Sequence, residues 1–400
     1  MRNFIKKRKI IISLIGLIGF ALLVPPVRNY FVVNWTFRPV YLLALSFALA
    51  FFFTPIIRVI AIKMGVVDKP DARKVHLAPT PLWGGLGIFT AFSLVIIYNF
   101  DFSLPLKGVA IGGAILVAIG LLDDKFGLSA KIRILFQLLA AGIAIYTGAR
   151  MTFLPDTLWG NALEITLSLI WFVGLTNAMN FLDGMDGLCS GLAAINAFFF
   201  GLAAVGTHQN FFMFISAALC GACLGFLPYN FRKGKSALIF LGDTGSTFLG
   251  FTLAGIALMG DWAKDNYVAV IVPIIIMAIP IFDMTLTTIM RIKEGKVKSF
   301  SEWLHFTGRD HFHHRVADMG LGKRRTVQVI HLIAVCLGIN GFIIRIAGPV
   351  EGGLLLTETA ILFILLSFIM IIVKNQYDYW AKIVSDLNLM AEKGKSPEKN

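Results

Sequence analysis

Apolar runs long enough to cross a bilayer recur along almost the whole chain, and no other feature restricts the fold so far. They fall near residues 10–24, 39–60, 83–99, 106–122, 131–148, 161–179, 187–206, 211–229, 237–260, 267–290, 327–347 and 353–373, and most are of the length needed to span roughly 30 Å of hydrocarbon. A membrane barrel would need segments of about ten residues that alternate in polarity, whereas these runs are longer and do not alternate. With 57% hydrophobic and only 15% charged residues, the chain cannot cover a soluble fold with polar surface. The expectation is an all-α, polytopic transmembrane protein of about 11–12 spans. The stretch RNFIKKRK followed by an apolar segment resembles a signal peptide, but no small-residue cleavage site follows, so the segment reads as a retained anchor.

The formal net charge of +13 does not point to nucleic acid, because the basic residues form no single face and alternate between the two sides of the membrane. Placing the N-terminus inside leaves all but six of the 36 Lys and Arg inside, the exceptions being Arg28, Arg38, Lys107, Arg150, Lys264 and Arg345. Positive charge is retained in the cytoplasm, so both termini are expected there. The same assignment puts every unusual polar cluster on the cytoplasmic side. The four cysteines, Cys189, Cys220, Cys223 and Cys336, lie in or beside apolar runs and offer no disulfide framework.

The polar clusters carry the chemistry. Asn177, Asn180, Asp183 and Asp186 recur every third residue in NAMNFLDGMDG, so a helix continued to its end would carry them as one polar stripe. Asp183 and Asp186 raise one another's pKa unless a cation or donor intervenes. Asp123 and Asp124 are adjacent, point about 100° apart on a helix and would address two different groups. In FLGDTGS, Asp243 sits between Gly242 and Gly245, where backbone and carboxylate can approach a phosphate or metal closely. His311, His313 and His314, flanked by Arg309 and Arg315, match a phosphate clamp better than a zinc site, since no cysteine is near. Oxygen-rich acids and basic donors on one membrane face suit a hard cation, Mg²⁺ first, holding a phosphorylated substrate. A cation-coupled membrane transporter would also carry Asn, Asp and His in apolar helices, but near the bilayer midplane rather than at one face.

In family order, DKPDARKVHLAPTPLWGG (68–85), LLDDKFGLSAKIR (121–133), NAMNFLDGMDGL (177–188), LPYNF (227–231), FLGDTGS (240–246), IPIFDM (279–284) and HFHHRVADMGLGKRRTV (311–327) resemble the polyprenyl-phosphate N-acetylhexosamine-1-phosphate transferase superfamily, glycosyltransferase family 4. The first loop and the HFHHR form are similar to the bacterial branch that starts O-antigen, enterobacterial common antigen or teichoic acid linkage synthesis. Two departures stand out: residues 1–35 are additional to the usual core, and SEWLHFTG (301–308) replaces a shorter lead-in to the histidines.

The resemblance implies an N-terminal anchor over 1–35, a catalytic transmembrane domain over 36–374 and a cytoplasmic tail over 375–400, in a bacterial cytoplasmic membrane. It implies transfer of a sugar-1-phosphate, N-acetylglucosamine-1-phosphate first, from a UDP-sugar to undecaprenyl phosphate with release of UMP. Asp243 is then the ligand of Mg²⁺, for which Mn²⁺ can substitute. Asn177, Asn180, Asp183, Asp186 and Asn230 shape the nucleotide site, and Phe240 offers a face to uracil. Lys131 meets the lipid phosphate, the three histidines orient phosphates, and Asp123 and Asp124 position the reactants. A homodimer is compatible with all of this and demanded by none of it.

Overall fold

Proline pairs, glycines and polar caps decide where the apolar runs break. The structure, a computed structural model, describes residues 2–69, 79–263, 265–299, 302–303, 306, 308 and 310–393. Helix α1 (Arg2–Leu22) is followed by α2 (Pro25–Val33) and α3 (Arg38–Lys63). The two apolar parts of α1 and α2 meet at 66°, at the Pro25–Pro26 pair that opens α2, where proline is tolerated because the first-turn N–H groups have no intrahelical partner. The segment formed by α1 and α2 packs into the body of the protein. A Cβ on Gly16 would lie 2.4 Å from the Phe52 ring, the Tyr41 hydroxyl donates to the Leu22 carbonyl at 3.1 Å, and that of Tyr98 donates to the Leu23 carbonyl at 2.7 Å.

A short antiparallel pair, β1 (Val67–Asp68) and β2 (Thr80–Pro81), leads into α4 (Gly84–Asn99). Then come α5 (Leu104–Phe126), α6 (Ala130–Tyr146), α7 (Leu158–Phe181), α8 (Leu188–Gly206), α9 (Asn210–Asn230) and α10 (Gly242–Met259). Beyond them lie α11 (Asn266–Ile276) and α12 (Ala278–Lys293), whose apolar parts are bent by 77°. The short α13 (Phe312–Val316), a π-turn over Ala317–Leu321, α14 (Gly322–Ile344) and α15 (Pro349–Lys393) complete the described residues.

Among the described residues seven helical stretches are long and apolar enough to cross a membrane, with α13 to α14 counted as one, or up to nine when each bent pair is one span, fewer than the 11–12 expected. The difference has a physical basis. Helix α4 has 16 residues and α6 has 17, short of a full crossing at 1.5 Å per residue. The run at 237–260 becomes a helix only from Gly242, and its first turn, Gly-Asp-Thr-Gly-Ser-Thr, dilutes its hydropathy.

Helix α10 is the most enclosed element, buried from Thr244 to Ala257. Small residues let its neighbours close in: a Cβ on Gly120 of α5 would lie 2.5 Å from the Thr244 Cα, and one on Gly85 of α4 would lie 2.0 Å from the Gly245 Cα. On the outer faces Leu135, Ile170, Leu354 and Ile364 are exposed, as side chains that meet lipid should be. Backbone pairing then closes one end of the bundle. Gly84 and Gly85 donate to the carbonyls of Phe240 and Leu241 at 2.9 and 2.8 Å, and Phe240 donates to that of Pro81 at 2.8 Å.

Candidate active site

The N-terminus of α10 would be a row of unpaired N–H groups, and Asp124 from α5 answers it. One carboxylate oxygen accepts from the Asp243 N–H at 2.8 Å, and the other from the Thr244 hydroxyl at 2.7 Å and its N–H at 3.3 Å. The approach depends on Gly242, whose φ of +75° disfavours a side chain and on which a Cβ would lie 2.6 Å from Asp124 Oδ2. Asp243 is thereby fixed with its own carboxylate between two donors. Asn180 of α7 donates to Oδ1 at 2.8 Å, and Arg133 of α6 lies 3.2 Å from Oδ2. The same guanidinium nitrogen is 3.3 Å from Asp123, whose other oxygen accepts from the Leu128 N–H at 2.6 Å. Asp123 and Asp124 do address different groups.

Helix α7 ends at Phe181, so the four polar residues of the motif do not form one continuous helical stripe. Asn177 pairs with Gln137 of α6 through two hydrogen bonds between their side-chain amides, Asn177 donating at 2.6 Å and Gln137 at 3.4 Å, and Asn180 turns to Asp243. Asp183 and Asp186 belong to a turn, residues 182–187, that closes at Gly187 with φ +81°. The turn is held by the Gly187 N–H donating to Asn230 Oδ1 at 2.6 Å and the Ala237 N–H donating to Asp186 Oδ2 at 3.0 Å. Asn230 also donates to the Ile239 carbonyl at 3.0 Å, joining this turn to the segment that bears Phe240. Burial first, then the carboxylates of Asp243, Asp124 and Asp186, push the pKa of Asp183 well above the usual carboxylate range.

The histidine motif is anchored by Asp283 of α12. Its Oδ1 accepts from the Phe312 N–H at 2.6 Å and its Oδ2 from His311 Nδ1 at 3.0 Å. Arg291 lies 3.3 Å from His311 Nε2 and forks onto both oxygens of Asp310 at 2.7 and 2.8 Å. Burial would raise the pKa of Asp310, but this ion pair outweighs it and holds the group below its ordinary value. His311 is buried beside the Phe181 ring. His313 is buried too, and among the described residues neither of its nitrogens has a partner. His313 packs against the acidic turn, since a Cβ on Gly184 would lie 2.5 Å from its Nε2.

These parts surround a cleft of about 740 Å³. Asp68, Asp124, Asp183, Asp186 and Asp243 supply acid to its lining; Arg232, Lys235, Lys323 and Arg324 supply positive charge; Phe240, Asn230 and His314 are also part of it. Acids that gather cations at the ends of several helices, beside a basic rim, can hold a polyanion and its counter-ion together.

A family model described as glycosyl transferase family 4 matches residues 106–261, which includes the acidic groups of α5, of the turn after α7 and of α10. The probable undecaprenyl-phosphate N-acetylglucosaminyl 1-phosphate transferase of Bacillus subtilis is 35% identical over 325 residues, covering 80% of this chain and 87% of that protein. The chain belongs to glycosyl transferase family 4. It is also 32% identical over 319 residues to the decaprenyl-phosphate N-acetylglucosaminephosphotransferase of Mycobacterium tuberculosis, with coverage of 71% and 77%. The undecaprenyl-phosphate alpha-N-acetylglucosaminyl 1-phosphate transferase of Escherichia coli is 30% identical over 296 residues, with coverage of 71% and 78%. These family 4 relatives are named as transferases, which leaves the transporter alternative without support.

Within this family 4 site, the residues expected from sequence divide into three groups. Asp124, Asp183, Asp186, Asn230, Phe240, Asp243 and His314 line the cleft, with Asp123, Asn177 and Asn180 bonded around it. His311, His313 and Arg315 are buried behind it, Arg315 donating to the Asp310 carbonyl at 2.7 Å. Lys131 is exposed and does not line the cleft; the cation that reaches the Asp pair is Arg133, two residues on. Arg309 lies outside the described residues. Sequence reasoning missed Arg133, Gln137, Lys323 and Arg324, although all but Gln137 fall within motifs already singled out. It left Asp283 unassigned, and that residue organises the histidines. Ser129 was the available signal for Arg133: capping α6 through the Ile132 N–H, it fixes the rotation that turns Arg133 toward the acids.

Proposed function

We propose that this protein transfers N-acetylglucosamine-1-phosphate from its UDP derivative to a polyprenyl phosphate, releasing UMP, on the cytoplasmic face of a bacterial cytoplasmic membrane. The observation that carries this reading is the meeting, in one cleft at the end of a membrane bundle, of five carboxylates, the Phe240 ring and a cationic rim. A soluble nucleotide sugar and a membrane-bound phosphate can both arrive there. The charge asymmetry of the loops supports the cytoplasmic assignment. The relatives' names support the sugar and the lipid class.

The donor set suits Mg²⁺. Its candidate ligands are carboxylate oxygens, Asp183 is destabilised as an anion by burial first and then by its three acidic neighbours, and the cation that touches Asp243 among the described residues is the single guanidinium of Arg133. Among the described residues no three His, Cys, Asp or Glu side chains converge on one point. That is compatible with an ion that takes one or two carboxylates and fills its octahedron with water and substrate phosphate. Asp243, with Asp183 beside it, would hold the ion, which supplies charge neutralisation on the diphosphate.

The residues of the chain do the rest. Asn230 and the acidic turn seat the nucleotide, and Phe240 stacks on uracil. The rim cations Lys323 and Arg324 draw the diphosphate in, and His314 donates to it. The lipid phosphate is largely dianionic at neutral pH, with a second pKa of about 6, so it needs no strong base. One of its oxygens attacks the sugar-bearing phosphorus, the bond from that phosphorus to the UMP oxygen breaks, and the sugar–oxygen bond is untouched. Asp124 has both oxygens engaged by α10 and Asp123 is bound by Arg133 and Leu128, which favours this single displacement over an aspartyl-phosphate intermediate.

The test is UMP release by purified protein given undecaprenyl phosphate and a panel of UDP-sugars, with Mg²⁺, Mn²⁺ or EDTA, beside Asp243→Asn. Metal- and lipid-dependent UMP from UDP-N-acetylglucosamine, lost in the variant, is the expected result. Release of UMP from no donor would overturn the reading, and a radiolabelled phosphoenzyme trapped without lipid would overturn the single displacement.

A further inference from the structure

The acidic turn is tied on one side by Asn230 and Ala237, and its exit into α8 is tied by a residue that neither the motifs nor the mechanism uses. His331 of α14 places Nε2 3.3 Å from the Leu188 carbonyl oxygen, with the Gly187 carbonyl beside it. A carbonyl oxygen only accepts, so Nε2 carries the proton and donates. Gly191, one turn into α8, makes the room: a Cβ there would lie 2.3 Å from His331 Cε1 and 2.4 Å from Nε2. On its other flank His331 meets the Phe231 ring edge-on at 6.4 Å, and the Arg324 guanidinium lies 5.2 Å from the centre of that same ring. Helix α14 opens on Gly322, with φ +71°, two residues after Gly320, with φ +86°. It carries Lys323 and Arg324 into the cleft opposite Asp183 and Asp186.

We propose that His331 is a positioning residue that locks α14 to the acidic turn, so that the cationic rim and the carboxylate floor keep the separation a nucleotide diphosphate requires. The ligand's identity rests on the function proposed above; the coupling itself does not. Without the imidazole donor, the acidic turn loses the tie that α14 makes to its exit into α8, and the first turn of α14, which bears Lys323 and Arg324, is held less firmly over it.

The experiment compares the full-length wild type, His331→Leu and His331→Gln in lipid nanodiscs. Leucine keeps apolar bulk and removes the donor, whereas glutamine keeps an N–H. Hydrogen exchange at residues 183–188 should accelerate about fivefold in His331→Leu and stay near wild type in His331→Gln, the size expected for one hydrogen bond. In the UMP-release assay the KM for UDP-N-acetylglucosamine should rise by a similar factor, about fivefold, with kcat and the KM for lipid phosphate within about twofold. Unchanged exchange in His331→Leu, equal effects of the two substitutions, or a fall in all kinetic parameters together with the melting temperature would each overturn the proposal. Absence of UMP release by the wild type would count against the function alone, since exchange reads the coupling without turnover.

Discussion

Burial first, and then the carboxylates that share its cleft, destabilise Asp183 as an anion until a cation answers it. A folded-state pKa raised above the unfolded value means that the native protein holds this proton more tightly, so its stability falls as pH climbs above about 4, where the unfolded carboxyl ionises. Asp183→Asn should therefore raise the melting temperature of EDTA-treated protein at pH 7 to 8, leave it unchanged near pH 4, and lose much of its advantage when Mg²⁺ is added. Identical melting curves at both pH values would show that the charge is already compensated. Arg133 makes a second test at this scale. Arg133→Ala should lower kcat/KM by about tenfold or more, the size of a charge-assisted bond, and should reduce the Mg²⁺ concentration needed for half activity, because Asp243 loses its competing cation. Lys131→Ala should change the KM for lipid phosphate alone if Lys131 meets that phosphate, and nothing if it stays in solvent. The type of residue beside the Asp pair was legible in LSAKIR; its position was harder to read, because two cations two residues apart face different sides of one helix, and the Ser129 cap sets where the helix starts while the packing of α6 against α5 and α7 selects between them. The acids were legible for a simpler reason: a carboxylate at a membrane helix end is costly enough to demand a use.

Between elements, the contacts that matter are side chains of one helix completing the backbone of another. Asp124 gives α10 the cap that its own sequence lacks, Leu241 being the residue before its first turn. Asp124→Asn turns one acceptor into an N–H₂ that faces donors, and should cost about 1–3 kcal/mol of stability together with most of the activity; thermal unfolding and UMP release on the same preparation would read both. Asp283 does the equivalent work for α13 and is buried at 1% exposure. Asp283→Ala leaves the Phe312 N–H and His311 Nδ1 unpaired and should destabilise by about 3–5 kcal/mol, the range for breaking a buried pair. A shift of less than one degree in melting temperature would contradict that. The motif at 177–187 was legible as a functional segment, but its three-residue spacing suggested a helix where the chain makes a turn. Asn230 and Ala237, both distant in sequence, pull the turn out of helical geometry, and a local pattern contains neither. The same limit hid the rotation of the histidines. Only when Asp283 draws His311 inward is it clear that His314 is the one left at the cleft.

For the molecule as a whole, the apolar runs were enough to give the class of fold, and their lengths were not enough to give the number of crossings. Helices such as α4 and α10 are enclosed by other helices as much as by lipid, so the lower limit on a lipid-exposed span does not apply to them. Sidedness is open to direct measurement: Ser236 is exposed at the rim of the cleft. Ser236→Cys should react with a membrane-impermeant maleimide in inside-out vesicles and not in intact cells; the reverse would invert the topology and remove the nucleotide sugar from reach. One feature of the bundle end also bears on how the protein is made. The N–H groups of Gly84 and Gly85 pair with carbonyls of Phe240 and Leu241, residues synthesised much later. At about 5–20 residues per second, that edge waits roughly 8–30 s in or beside the membrane before its partner exists. The nascent chain therefore passes through a period in which its first four helices are inserted with open backbone at the surface, a stage at which membrane chaperones and proteases, rather than substrates, are the molecules it has to meet.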